Sequence, residues 1–465
     1  MNTLPKTKII ATIGPSTWDS QTLKLMYESG MSIARINASF ADFDELKRVS
    51  TQIRTISPRI PIILDTQGNK IRVKNLQKEI LVENQLVIYS DTVQAIGMTG
   101  IQVTYPDLYK NVIVGSKILI DDGNIELKVI KIEGDKIICD VIQGGVLKPN
   151  KTVNIPDVNL TFPVLTEKDR KDIMFAVENN FDYVCASFVR NREDVHYVRD
   201  LIGSRDIGII SKIENREGVN NFDEILEASD GVMIARGDLA VEIDYEEVPI
   251  LQKQMIHRCR AIGKPVIVAT QMLESMRENI RATRAEVSDV ANAVMDCTDC
   301  IMLSAETSTG KYPLQAIRTM AKIASKTEEV MLPSSVYGRT LAGEIFDEMA
   351  KNLNDMINSL PLKAVIVISN STSAVESISR HRPRVPIYVV SSDISAVRKN
   401  AFCYGAKTFY ISELSQDRDV NTNRAVESIY THGELDLDDK IAIISNSSIK
   451  NTTILEILTV KDAIK

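Results

Sequence analysis

A chain of 465 residues exceeds what one hydrophobic core usually organises, so two or three domains are expected. At 44% hydrophobic and 25% charged it has a globular composition, and no apolar run reaches the roughly 20 residues that span a bilayer. The net charge of −7 is carried by interspersed groups and leaves no basic stripe for nucleic acid.

In chain order, residues 1–8 are short and polar, with neither the apolar core of a signal peptide nor the Arg/Ser-rich character of a transit peptide, which points to the cytoplasm. Residues 8–13 read as a strand closed by Gly14-Pro15, residues 22–29 as an amphipathic helix stopped by Gly30, and 32–36 and 61–64 as two further strands. From 67 to 156 the rhythm changes to Val/Ile-rich pieces at 79–89, 112–120, 124–132 and 136–142. Gly, Asp and Asn turns separate them, which predicts an inserted all-β module. The β-α alternation resumes at Thr166, which heads a capping-box pattern, and continues through apolar runs at 183–186, 207–210, 231–235, 265–269 and 300–303. Three runs before the insertion and five after it predict a closed (β/α)8 barrel formed by 1–66 and 157–332, with 67–156 as a β-barrel-like lid. Residues 333–465 carry a separate β-α alternation, with strands at 364–368, 387–390, 408–411 and 441–444, and predict a smaller open α/β domain.

The six cysteines form no disulfide-like framework, and Cys297-x-x-Cys300 lacks the second half of a zinc site, so two buried thiols near a strand is the better reading. None of the four histidines belongs to a nucleophile or metal motif.

In a (β/α)8 barrel, chemistry gathers where the strands end. Those ends carry Arg35-Ile-Asn37-Ala-Ser39, Asp65-Thr66, Lys212-Ile-Glu214, Arg236-Gly237-Asp238, Thr270, and Ser304 with Glu306. Strand capping supplies Ser, Asn and Gly freely. It does not repeatedly set Lys, Arg, Asp and Glu against a buried run, where unpaired charge is costly. Lys212 and Glu214 are two apart and share a face on an extended segment. Glu214 with Asp238 suits a divalent metal, while Lys212 and Arg35 suit phosphoryl oxygens. Gly237 allows backbone to approach an anion. The pattern reads as metal-dependent phosphoryl transfer.

Longer motifs make the reading specific. Lys212-Ile-Glu-Asn-Arg-Glu-Gly218, Ala235-Arg-Gly-Asp-Leu239, Ala269-Thr-Gln-Met-Leu-Glu-Ser-Met276, Thr283-Arg-Ala-Glu286, Ser288-Asp-Val-Ala-Asn292 and Ile301-Met-Leu-Ser-Ala-Glu-Thr307 resemble the signatures of the pyruvate kinase family. So do Thr12-Ile-Gly-Pro15, Arg35-x-Asn-x-Ser39 and Leu64-Asp-Thr-x-Gly68. The resemblance implies phosphoryl transfer from phosphoenolpyruvate to ADP, giving pyruvate and ATP, by a homotetramer. It implies that Glu214 and Asp238 hold Mg2+ or Mn2+, that Lys212 and Arg35 stabilise the moving phosphoryl group, and that Gly237, Asp238 and Thr270 bind the substrate carboxylate. Thr270, Ser304 and Glu306 are implied in proton delivery, and Pro15, Asn37, Arg72 and Lys151 in nucleotide binding. Asn37, Ser39, Asp65 and the Thr66 carbonyl match the family's monovalent-cation ligands.

Three departures matter. Gln67-Gly-Asn-Lys70 stands where potassium-dependent members have Lys-Gly-Pro-Glu, so the Lys70 ammonium is expected to replace K+, which is then not required. Phe40-Ala41 stands where the family usually has His-Gly beside the nucleotide, which bears on adenine-nucleotide affinity. The hydroxyl-rich run Ser369, Asn370, Ser371, Thr372 and Ser373 resembles an effector loop, but it lacks the usual Gly-Arg or Gly-Lys, and the late loop at 445–453 lacks Gly and Arg. This points to AMP or a sugar monophosphate rather than fructose 1,6-bisphosphate. A Mg2+-dependent barrel lyase would explain Glu214 and Asp238 but not Arg35, Lys212 and a β-rich lid together. A non-catalytic metabolite sensor would not need all of Lys212, Glu214, Asp238 and Thr270.

Overall fold

The computed structural model describes residues 4–74, 76–89, 100–158, 160–331, 345–446 and 453–464. The boundary expected at 332/333 and residues 447–452 of the late loop lie outside the described residues.

Eight strands form one closed, all-parallel barrel: β1 (Lys8–Ile13), β2 (Met31–Asn37), β3 (Ile62–Asp65), β4 (Tyr183–Ala186), β5 (Gly208–Ile213), β6 (Gly231–Ala235), β7 (Val266–Ala269) and β8 (Cys300–Leu303). Each pairs with its chain neighbours, and β1 closes the ring on β8 through Lys8↔Cys300 and Ile9↔Ile301. These strands are apolar on both faces because both are covered. Alternation divides them. Ile10, Ile33, Ile63, Cys185, Ile210, Met233, Ile267 and Met302 fill the lumen, while Ile9, Ala34, Leu64, Val184, Ile209, Val232, Val268 and Ile301 meet the surrounding helices. Those helices start where side chains accept orphan backbone N–H groups. Asp19, Asp42, Asn191 and Asn215 each do so once, and Thr166 and Thr283 form full capping boxes with Asp169 and Glu286.

The lumen floor is plugged from outside the barrel. Phe402, from the C-terminal region, is fully buried among the lumen side chains, with its ring 4.3 Å from Tyr183. Arg382 crosses the same boundary, pairing with Asp299 at 3.0 Å and donating to the Cys297 carbonyl.

Between β3 and β4 the chain leaves to form a second closed barrel of seven short strands with a two-stranded ribbon, Ile80–Val82 with Gly145–Leu147. Its first strand, Ile71–Lys74, pairs with its last, Thr152–Asn154, through Arg72↔Thr152, so entry and exit lie side by side. Two expectations are corrected here. The run 79–89 is two strands, Ile80–Val82 and Gln85–Tyr89, and 112–120 yields strand only over Lys117–Ile120. Continuous apolar character does not reveal where a backbone must turn to close a small barrel.

The C-terminal sheet has the order 406–410, 387–391, 362–368, 440–446, 453–459. Four strands were expected. The fifth, Thr453–Thr459, returns antiparallel along Lys440–Asn446; its Thr/Ile/Leu/Glu pattern follows a polar stretch and had no element assigned to it. All six cysteines are buried and unpaired. Among the described residues no helix is long and apolar enough to cross a membrane.

Replacing Phe402 with Ala should open a cavity at the lumen floor and cost about 3–5 kcal/mol. The shift in the urea unfolding midpoint measures it.

Candidate active site

The strand ends of the barrel bring their charges into one connected chain. Arg35, within β2, donates from Nε to Asp65 Oδ2 at 2.6 Å and from Nη1 to Thr12 Oγ1 at 2.7 Å. Asp65, the last residue of β3, is 1% exposed and gives its other oxygen to Lys212 Nζ at 3.1 Å. Lys212 also donates to Ser187 Oγ at 2.8 Å and lies 3.1 Å from Glu214 Oε1. The Lys212 ammonium near the end of β5 and the Glu214 carboxylate just beyond it therefore point to the same place, as extended backbone two residues apart allows.

Burial drives each group towards neutrality, and the neighbours decide the outcome. Burial alone would lower the Lys212 pKa, but Asp65 and Glu214 outweigh it and hold it above the usual lysine range. Burial would likewise raise Asp65, but Arg35 and Lys212 hold it below the usual carboxylate range. For Glu214 burial wins and its pKa rises, whereas Lys70 and Lys212 overcome burial at Asp238 and lower it.

Glu214 and Asp238 test the fit of a divalent cation. Glu214 is 0% exposed, and its Oε2 accepts the Phe188 N–H at 2.7 Å. Its Oε1 is buried without a hydrogen-bond donor, since Lys212 is close but poorly aimed. Asp238 stands close enough for its charge to add to the rise in the Glu214 pKa. Two adjacent acid groups, one with an orphaned oxygen, suit a hard cation that takes one or two carboxylates and completes its shell with water and substrate oxygens. Among the described residues no cluster of three or more His, Cys, Asp or Glu offers a fuller cage.

Lys70 pairs with Asp238 and sits 5.3 Å from the Phe188 ring centroid, so it faces the acid pair rather than Asn37. The turn that presents it is held by Asp169, which accepts the N–H groups of Gln67 and Gly68. Gly68 has φ +70°, and a Cβ there would lie 2.7 Å from Phe188 and Ser187 side-chain atoms, so only glycine lets the turn pass. Two further monovalent-type ligands, Asn37 and Thr66, already have protein donors. Asn37 Oδ1 accepts the Ser39 N–H at 3.0 Å and the Thr66 carbonyl accepts Ser187 Oγ at 2.7 Å.

At the end of β7, Thr270 and Gln271 have φ of +70° and +53°, in the left-handed region that a β-branched residue avoids. That backbone sets Thr270 Oγ1 to accept the Gly237 N–H at 2.7 Å. Arg236 locks the same corner, gripping Asp289 through two 2.7 Å bonds and donating to the Thr270 carbonyl.

Ser304 and Glu306 stand apart from Thr270. Glu306 accepts the Leu273 and Ser304 N–H groups, and burial raises its pKa. Among the described residues no hydrogen bond joins Thr270 to either. Pro15 begins a single 3-10 turn after β1. Phe40 is 85% exposed. In the lid, Arg72 donates to the Asn150 carbonyl and Lys151 pairs with Asp121 at 2.5 Å. In the C-terminal sheet domain, Ser371 and Ser373 bond each other through their hydroxyls, Ser369 accepts the Ser371 N–H, and Asn370 accepts from Ser391 and Ser392. Thr372 caps no backbone N–H.

Sequence reasoning passed over Thr12, Ser187, Phe188, Asp169 and Asp289. Ser187 and Phe188 follow β4, whose end carries no charge. Treating every strand end as equivalent, charged or not, would have found them. Replacing Asp65 with Asn should leave Arg35 and Lys212 as unbalanced buried cations and cost about 3–5 kcal/mol, read from urea unfolding.

Two family models match the chain. The pyruvate kinase barrel domain covers residues 4–317 and the pyruvate kinase alpha/beta domain covers 347–460. Pyruvate kinase of Geobacillus stearothermophilus is 42% identical over 449 residues, 92% of this chain and 76% of that protein. The Bacillus licheniformis enzyme is 43% identical over 416 residues, 86% and 71% of the two chains. A Staphylococcus epidermidis enzyme is 38% identical over 452 residues, 94% and 77%. With both family models matched and this identity spread across most of its length, the chain belongs to the pyruvate kinase family.

Proposed function

We propose that the chain performs its family's reaction, transfer of the phosphoryl group of phosphoenolpyruvate to ADP in glycolysis, with Lys212 and Arg35 as the charges that hold the group in flight. The observation that carries this is the unbroken buried chain Arg35–Asp65–Lys212–Glu214 ending beside Asp238. Asp65 orients two cations from two strands, so positive charge is in place before the phosphoryl oxygens arrive, and no reorganisation is needed during transfer. Bound at Glu214 and Asp238, Mg2+ or Mn2+ would supply charge neutralisation over the substrate oxygens. The Gly237 and Asp238 backbone N–H groups with the Thr270 hydroxyl are the proposed grip on the substrate carboxylate, at a corner held by Arg236 and Asp289. Thr270 is the proposed group nearest the methylene carbon that is protonated, with Ser304 and Glu306 as the proposed relay behind it. Arg72 and Lys151 reach the nucleotide phosphates from the lid, and Pro15 and Asn37 border the nucleotide.

Monovalent cation is the finer point. The ammonium of Lys70 lies within the acid cluster, and the oxygens of Asp65, Asn37 and Thr66 already have protein donors. The site thus carries its own positive charge and needs no K+. The hydroxyl-rich loop from Ser369 to Ser373 is the proposed seat of a phosphorylated effector, AMP or a sugar monophosphate. The proposed assembly is a homotetramer in the cytoplasm.

A coupled assay for ATP from phosphoenolpyruvate and ADP tests the activity, and Lys212→Met should lower kcat by at least ~10²-fold. Near-normal turnover in that variant would remove Lys212 from its role. Rates in K+-free tetramethylammonium buffer should match those with K+, and Lys70→Glu should install a K+ requirement. A large drop in the parent without K+ would sink the Lys70 reading.

A further inference from the structure

Three of the lid's contacts with the barrel fall on one short stretch, residues 238–242. Lys70 pairs with Asp238. The lid turn at Gly123 comes within ordinary contact of Val241, where a Cβ would lie 3.8 Å from its Cγ1. Asn154 Nδ2, at the end of the last lid strand, donates to Glu242 Oε1 at 2.7 Å. Glu242 follows Asp238 by one helical turn, its N–H bonding to the Leu239 carbonyl, so both acids stand on one face towards the lid.

A cavity of about 240 Å3 opens between these contacts. Val153, Ile155, Val158, Leu160 and Phe162 make much of its wall apolar. A hydrogen bond across such a wall is strengthened by the low local dielectric, and separating it would leave a shielded carboxyl without its donor.

We propose that the Asn154–Glu242 hydrogen bond is a latch that docks the lid on the barrel segment carrying Asp238, making both positioning residues for the reaction. The latch rests on the proposed function only for its consequence. Asn154 lies three residues after Lys151, and Arg72 lies on the paired strand opposite Thr152, so docking places both nucleotide-binding candidates relative to Asp238.

Protonation favours the docked state. Burial pushes the Glu242 carboxyl up to about 7; the acids Asp238 on its own segment, Asp157 from the strand-to-barrel return and Glu214 just after β5 add to the rise, the Asn154 hydrogen bond opposes it, and the cations Lys70, Arg190 and Arg216 line the same cavity. A carboxyl with a raised pKa in the docked state contributes fully below its ordinary value of 4.5, and that contribution is lost as pH rises through about 7.

Hydrogen–deuterium exchange of lid residues 150–156 in the full-length chain tests the latch. Asn154→Ala and Glu242→Ala should each speed exchange about five- to tenfold, and the double variant no further, because both remove one bond. Glu242→Gln keeps the acceptor without the charge, so it should stay protected and lose the parent's fall in protection factor between pH 5.5 and 8. Additive single effects, or unchanged exchange in Asn154→Ala, would overturn the latch. If exchange quickens while the KM for ADP stays constant, the latch stands and the nucleotide role of Arg72 and Lys151 falls. If the KM moves while exchange does not, the latch falls.

Discussion

One carboxylate shared by two cations organises the site. Asp65 is buried, and each of its oxygens takes a different partner, Arg35 from β2 and Lys212 from β5. Remove either cation and the acid is desolvated for half its charge; remove the acid and two cations face each other. This arrangement exists only because β2, β3, β4 and β5 run parallel in register, with Asn37 opposite Asp65 and Cys185 opposite both Asp65 and Ile210. The hydrophobic closure of the barrel thus sets the distance between charges that would not assemble unaided.

The same barrel has its two ends put to different uses. The strand C-termini carry the charge chain and the lid. The floor is sealed by Phe402 and tied by Arg382, so the C-terminal region completes a core the barrel cannot fill alone. Both ends share one lumen core: the cluster that holds Phe402 also contains Cys185, two residues before Ser187, and Ala269, which immediately precedes Thr270.

Some of the backbone strain falls where the chemistry is. Phe188, Thr270 and Gln271 all adopt positive φ without being glycine. Phe188 aims its N–H at the acid pair and Thr270 its hydroxyl at the carboxylate corner, and both are held by neighbours: Glu214 on the Phe188 N–H, and Arg236, itself gripped by Asp289, on the Thr270 carbonyl.

Much of this was legible in the chain. The eight apolar runs, the inserted β module, the capping boxes and the charges at strand ends follow from local patterns. Periodicity and a charge beside a buried run are properties of a few adjacent residues. The family motifs, being contiguous, named the chemistry as well. Other features were decided only by the tertiary structure. Ser187 and Phe188 carry no charge and become part of the site through Lys212 and Glu214. Asp169 looked like a helix cap and also holds the turn presenting Lys70. Lys70 was expected to stand in for K+, and that its ammonium lies beside Asp238 and the Phe188 ring was not legible from its neighbours in the chain. The fifth C-terminal strand needed its antiparallel neighbour to exist. In each case the deciding partner lies distant in sequence, and only barrel closure and lid docking bring it within hydrogen-bonding reach.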